Sequence, residues 1–313
     1  MGFIPHNTRI VNDCVPYVEV LGLLRRRGII MGVKSKSQKR VQGAIRYIIM
    51  IVVGIVFIIP FAWMVSTSFK DPSQIYEIPP RWIPHPFTFR NIIDGWHVLP
   101  FATYFLNTII ITVLGTIGTL LSCSLVAYGF AKYKSRLSNF MFILVISTMM
   151  LPSQVTLIPN YMMFSWLKWV DTFLPLIVPQ WFAVGAFYIF LLRQFFMTIP
   201  KELHEAAKID GCGSFRFFWQ IMVPLSKPAL YTVAVFSIIN NWNDFLPQLI
   251  YLNSDSNYTV SIGLAFFNSK YGTQQMNLLM AVSFVTMLPL LLLFFFAQKY
   301  FIKGISASSG IKG

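Results

Sequence analysis

The sequence predicts an all-α membrane protein with six transmembrane helices. Three observations carry this reading. First, the 313 residues are 56% hydrophobic and only 12% charged, where a soluble domain carries about a quarter charged residues. Second, the apolar residues come in long blocks, more than one globular core of this size can hide. Third, the basic residues gather at the ends of those blocks and alternate between rich and poor loops. Despite a net charge of +14, that is the pattern of membrane topology and not of a nucleic-acid partner.

Six runs approach the ~20 residues needed to cross a bilayer. They are about 47–67, 105–128, 140–158, 173–192, 229–251 and 278–301. Backbone polar groups in lipid must be satisfied within the segment, so each run is expected to be helical. Twenty of the 25 Lys and Arg residues fall before span one, after spans two and four, and at the end. The other five are Lys70, Arg81, Arg90, Lys168 and Lys270. The positive-inside rule then puts both termini in the cytoplasm.

Ahead of span one, residues 1–45 read as a basic arm, with Arg25-Arg26-Arg27, Lys34 and Lys36. It is either an arm that touches anionic lipid or a poorly ordered tail, and Met31 is an alternative start. No short apolar core with a small-residue cleavage site precedes span one. His6 stands where a myristoylation signal requires Ser or Thr. Residues 46–313 form the transmembrane domain.

Between spans one and two, Pro72, Pro79, Pro80, Pro84, Pro86 and Pro100 predict an ordered loop and not a span. That loop is placed to meet a partner on the outer face. In span two, Thr108, Thr112, Gly115, Thr119 and Ser122 form one helical stripe of small residues. It serves either packing within the chain or a subunit interface. In span three, Pro152, Ser153 and Gln154 mark either a tolerated kink or a broken, cavity-lining helix.

Catalytic chemistry is hard to find. Cys14, Cys123 and Cys212 fit neither a disulfide framework nor a metal spacing. HExxH, CxxC and the phosphate-cradling GxxxxGK[ST] are all missing from the sequence. No enzyme activity, cofactor or metal is therefore expected of this chain itself.

The most informative segment lies between spans four and five, within a loop spanning 194–228. IPKELHEAAKIDGCGSFRFFWQIMVPLSKP is too polar for a span. It reads as two short helices. Pro200 suits a first helical position, Glu202 and Glu205 sit early and Lys208 late, and Gly211 can end the helix left-handed. Ser214 suits the next N-cap. Phe215, Phe218, Trp219 and Met222 then fall on one apolar face, and Pro224 ends the run. That face is suited either to a groove in another protein or to the chain's own membrane domain.

Glu205-Ala206-Ala207, Asp210-Gly211 and Ile221-Met222-Val223-Pro224 resemble the EAA loop of ABC importer permeases. Cys212 and Val223 depart from that pattern where Ala and Leu are usual. The resemblance extends over about 46–313. Ile78-Pro79-Pro80-Arg81-Trp82-Ile83-Pro84, Asn241-Trp242-Asn243-Asp244-Phe245 and the ending from Gln298 to Gly313 look like the carbohydrate-type permeases, the smaller maltose-type subunit above all. The resemblance implies a type I importer transmembrane domain in a bacterial inner membrane. It implies that Glu205, Ala206, Ala207, Asp210, Gly211, Cys212, Phe215 and Pro224 serve ATPase coupling. The implied partners are a second permease subunit, two ATPase subunits that use ATP and Mg, a solute-binding protein, a sugar and membrane lipids.

Polar residues inside a span are costly unless they face a cavity or a partner. Asn240, Asn241, Trp242, Asn243 and Asp244 in span five, with Gln154, are thus candidates for a substrate pathway. Amides would bond sugar hydroxyls, and Trp242 would offer a stacking face. The alternative is that these residues hold span five against its neighbours.

Overall fold

The computed structural model describes residues 36–133, 135–272 and 274–308. Most of the basic arm, residues 1–35, and the last five residues lie outside them. Two compact units are present, residues 1–62 and 63–313. Among the described residues every regular element is helical.

Helix α1 (Lys36–Ser68) is apolar on all sides, and its residues from Tyr47 to Ile59 are almost all exposed. A helix of that kind needs lipid or another chain around it. In the second unit, α2 (Arg90–Val98) closes the proline-rich segment. Asn91 Nδ2 donates to the carbonyls of Ser68 (3.0 Å) and Lys70 (2.7 Å), and Asn277 donates to Asn91. The proline-rich loop is thus ordered, as its sequence suggested.

Next comes α3 (Phe101–Lys132), the long central helix. Then follow α4 (Arg136–Ser147), α5 (Ser153–Trp166), the short α6 (Leu174–Ile177) and a 3-10 turn at Val178–Phe182. α7 (Ala186–Phe196) completes span four. The connecting loop carries α8 (Lys201–Ile209), α9 (Ser214–Phe217) and α10 (Val223–Leu225), with a π-helical turn at Phe218–Met222 between the last two. The rest is α11 (Lys227–Asn243), α12 (Leu246–Tyr251), α13 (Val260–Tyr271) and α14 (Met276–Ser308).

Among the described residues, four segments are long and apolar enough to cross a membrane: Gln42–Ser68, Phe101–Lys132, Leu174–Phe196 (α6, the 3-10 turn and α7) and Met276–Gln298. The count reaches six when each of two bent pairs is taken as one span. One bent pair lies in the expected run 140–158; the other joins Ser214–Leu225 to α11 at 80°, ahead of the run 229–251. The run 140–158 breaks between α4 and α5, which turn by 99°. Pro152 is the cause: it lacks an N–H, collides with the carbonyl four residues back and pushes Leu151 into extended backbone. The run 229–251 ends instead at Asn243, with Asp244 extended. Pro247 would clash with the carbonyl of Asn243, four residues earlier, and the helix stops there.

The small-residue stripe of α3 is filled by the chain's own 3-10 turn. A Cβ on Gly115 would lie 2.7 Å from the Gln180 side chain, and one on Gly118 would lie 2.5 Å from the Trp181 indole. Ser122 Oγ donates to the carbonyl of Gln180 at 2.9 Å. Packing within the chain, not the alternative subunit interface, uses this stripe. Along the same helix, Asn107 donates to the carbonyls of Ser256 (2.8 Å) and Tyr258 (2.9 Å). Thr108 accepts from the amide of Val260 at 3.0 Å.

A carboxylate clamps the loops at the other end of α5. Asp171, at φ 62, accepts from the amides of Asn253 (2.9 Å) and Ser254 (2.8 Å), from the Ser254 hydroxyl and from Asn257 Nδ2 (3.2 Å). The Ser254 bonds, with help from Asn253 and Asn257, hold its carboxyl well below the usual carboxylate range. A depressed folded value means the clamp is fully present above the unfolded pKa of about 4 and fails only as pH falls through the lower value.

Two outcomes follow. Gly118→Ala should cost about 1–3 kcal/mol by overpacking, read as a lower thermal midpoint in detergent. Gly129→Ala in the same helix, where a Cβ meets nothing within 4 Å, should not. Asp171→Ala should raise hydrogen exchange at the Asn253 and Ser254 amides about 10- to 100-fold, the worth of bonds to a charged group. The unaltered chain should show the same protection at pH 5 as at pH 7; a loss at pH 5 would mean that the carboxylate is not the clamp.

Candidate functional site

Two regions gather the candidate residues. The first is the helix pair of the 194–228 loop. Pro200 is the N-cap of α8 and not its first helical residue as the sequence suggested; Glu202 lies in the first turn and Lys208 in the last. The end of α8 is a Schellman motif: Cys212 N–H donates to the carbonyl of Ala207 (2.8 Å) and Gly211 N–H to that of Lys208 (3.1 Å). Gly211 has φ +76, as this motif demands. So Ala207, Asp210, Gly211 and Cys212 together form one chain reversal.

Ala207 faces inward, where it joins Phe217, Phe218, Met222, Tyr128 and Phe196 in a buried cluster. Ile209 is 86% and Phe215 69% exposed, and Trp219 is partly exposed beside Phe215. The expected single apolar face of Phe215, Phe218, Trp219 and Met222 is therefore split in two. The π-turn is the reason: its wider winding rotates each later residue off the 3.6-residue register. Pro224 does not end the run, because the π-turn just before it absorbs its missing hydrogen bond and the helix continues to Leu225. Ser214 is not an N-cap either. It is the first helical residue, and its hydroxyl accepts from Lys132 Nζ at 2.7 Å.

His204 lies edge-on to Phe217, 4.6 Å between ring centres. Burial, then the charges of Lys132 and Lys208, push its pKa down against the pull of Glu205. The imidazole is therefore neutral at neutral pH. It helps line a pocket of about 370 Å³ between α8 and the ends of α3 and α7, together with Glu205.

The second region surrounds the break after α11. Asp244 and Gln154, far apart in sequence, line one cavity of about 620 Å³ with Asn160, Gln180 and Tyr251. Asp244 also borders a neighbouring hollow with Asn240, Asn241 and Asn243. Asn240 Nδ2 donates to the Tyr188 hydroxyl at 2.7 Å and Asn243 Nδ2 to the carbonyl of Ile239 at 2.8 Å. Trp242 stands apart from this group: it is buried against Phe105, edge to face, with 5.5 Å between ring centres.

Asn241 is bound into the interior. Gln180 Nε2 donates to Asn241 Oδ1 (2.7 Å) and Asn241 Nδ2 donates back to Gln180 Oε1 (3.1 Å). Thr119 donates to the same Gln180 oxygen (3.1 Å), and Ser237 links Asn241 to Thr116. Gln180 was missed in the sequence, although the rule that singled out the asparagines, a polar group inside an apolar run, applies to it equally.

Helical spans broken around a polar cavity, with a helix pair beside them, define a membrane transport component. Residues 123–307 match the family described as binding-protein-dependent transport system inner membrane component. Curated relatives agree. The arabinooligosaccharides transport system permease protein AraQ of Halalkalibacterium halodurans is 32% identical over 264 residues, 83% of this chain and 93% of that protein. The sn-glycerol-3-phosphate transport system permease protein UgpE of Yersinia pestis bv. Antiqua is 33% identical over 265 residues, 82% of this chain and 94% of that one. The fold is similar, with TM-score 0.75 and 22% identity over 87% of this chain and 100% of the other, to a chain of a bacterial ABC transporter involved in the import of the acidic polysaccharide alginate. This chain belongs to the binding-protein-dependent transport system inner membrane component family, and it is a multi-pass permease subunit of an ABC importer.

Gly211→Ala should weaken the chain reversal by about 1–2 kcal/mol, since a left-handed residue other than glycine is strained while its Cβ meets nothing within 4 Å. Gly211→Asn should cost less. Hydrogen exchange at the Cys212 amide reads this directly: equal protection in all three proteins would rule out the motif as the stop.

Proposed function

We propose that this chain carries a neutral sugar or oligosaccharide across a bacterial inner membrane as one of two unlike permease subunits. The observation that carries the reading is the charge of the cavity at the span-five break. Among the residues lining it, Asp244 is the single charged one; the others are amides, hydroxyls and apolar groups. Amides suit sugar hydroxyls, and AraQ, by its name, serves arabinooligosaccharides. A second reading, a non-sugar solute, is favoured by the likeness to UgpE. A phosphate ester would meet the Asp244 carboxylate with no lining cation to offset it, which argues for the neutral sugar.

On this reading the chain is no enzyme and holds no cofactor, nor does it bind nucleic acid. ATP and Mg belong to two partner ATPase subunits. A solute-binding protein delivers the sugar to the outer face, where the ordered proline-rich loop lies. Both termini and the 194–228 loop are cytoplasmic, as the distribution of 25 basic residues supports. α8, with Glu205, Ala206, Ala207, Asp210, Gly211 and Cys212, is the coupling helix; Ile209 and Phe215 offer apolar surface to the ATPase groove. Phe215 docks directly, and Pro224 holds the second helix to α11. Closure of the ATPases moves the helix pair and changes which side of the membrane the cavity opens to. Each partner must bind one arrangement better than the other for anything to move.

Purification of the tagged chain from its native membrane should bring down a second permease subunit and an ATPase. A chain that stays alone and transports in vesicles without ATP is a secondary carrier instead. In the reconstituted importer, Glu205→Ala should leave insertion intact and lower the solute moved per ATP; unchanged uptake removes the coupling role. Asp244→Ala should change uptake of the sugar at constant assembly. A loss of assembly alone would mean that this residue packs helices.

A further inference from the structure

The cytoplasmic end of α3 is tied to the helix pair by a cluster that no family motif names. Lys132 Nζ donates to Ser214 Oγ at 2.7 Å, and the Tyr133 hydroxyl donates to the same oxygen at 3.3 Å. The Tyr128 hydroxyl donates to the carbonyl of Ser214 at 3.2 Å. The Lys132 ammonium also lies over both tyrosine rings, 5.5 and 5.3 Å from their centres. All three donors come from the last two turns of α3 and its cap, and both acceptors come from one residue at the elbow just after Gly213.

We infer that Lys132, with Tyr128 and Tyr133, is the positioning residue that passes movement of the coupling helices into span two. The inference rests on the coupling role proposed above. α3 is where such a movement would count. Higher on the same helix, Thr119 and Thr116 hold Gln180 and Ser237, which hold Asn241, three residues from Asp244. A displacement at Ser214 thus reaches the cavity through one rigid helix. Packing of Phe217 and Phe218 on Tyr128 keeps the elbow near α3, but apolar contacts slide where directed hydrogen bonds do not. The bonds fix the register in which the elbow meets the helix.

The test uses the complete importer, both permease subunits, the ATPases and the binding protein, in proteoliposomes. Lys132→Met keeps the stem and removes the ammonium; Ser214→Ala removes the shared acceptor. Each should lower solute transported per ATP about threefold or more, with the assembled complex and ATP hydrolysis retained. The double variant should be no worse than either single one, and Lys132→Arg should restore the ratio. Glu205→Ala runs alongside as the coupling control. If it uncouples while Lys132→Met and Ser214→Ala leave the ratio unchanged, the coupling reading stands and the latch is wrong. Additive losses that track loss of assembled complex would reduce the cluster to a stability contact and overturn the inference too. If Glu205→Ala also leaves the ratio unchanged, the coupling reading itself has failed.

Discussion

The reciprocal amide pair of Gln180 and Asn241 is the constraint around which the transmembrane domain is arranged. Both residues are part-buried within apolar runs, and an amide left unbonded on burial costs several kcal/mol. Each gives and takes one bond with the other. For that to happen, the 3-10 turn bearing Gln180 must come very close to α3. The glycines of α3 provide the room: any side chain at Gly115 or Gly118 would occupy the space of Gln180 or Trp181. The threonines on the same stripe supply the remaining partners. Small residues here lower the cost of satisfying polar ones, and α11 is brought to α3 as a result.

The proline breaks do the complementary work. A continuous helix hides its backbone and offers a solute nothing. Pro152 and Pro247 stop helices in mid-run, and at Pro152 the segments on either side turn by 99°. The space between the turned ends is the cavity that Gln154, Gln180 and Asp244 share. Regular helix therefore gives the rigid frame, and the interrupted helix gives the place where polar groups become available.

Much of this was legible in the sequence, and the failures share a cause. Apolar length marked the helices, proline the ordered loop, and glycine at 211 the left-handed stop, because each follows from the backbone alone. Periodicity failed at Phe215, Phe218, Trp219 and Met222. A pattern of 3.6 residues cannot foresee a π-turn, and the turn exists to absorb the proline at 224. Asn241 and Trp242 looked like neighbours of Asn240 and Asp244, and in sequence they are. Which face of α11 each one occupies depends on α3 and the 3-10 turn, more than 60 residues away for Gln180. Ser214 shows the same limit: a serine before a helix suggests a cap, but Lys132 is a better partner for it than its own backbone.

The satisfied and unsatisfied surfaces also divide the molecule by purpose. Inside, Gln180, Asn241, Thr116 and Ser237 close their hydrogen bonds on one another and are fixed. Around the break, Gln154, Asn240 and Asn243 remain exposed, and the cavity walls belong to one chain only. Such polar groups cannot face lipid, because their desolvation would be uncompensated there. They require either water or a second polar wall. The same holds for Ile209 and Phe215 at the loop, which are apolar where the chain should meet water. Both kinds of mismatch are left open within this chain, polar groups exposed at the break and apolar ones exposed at the loop.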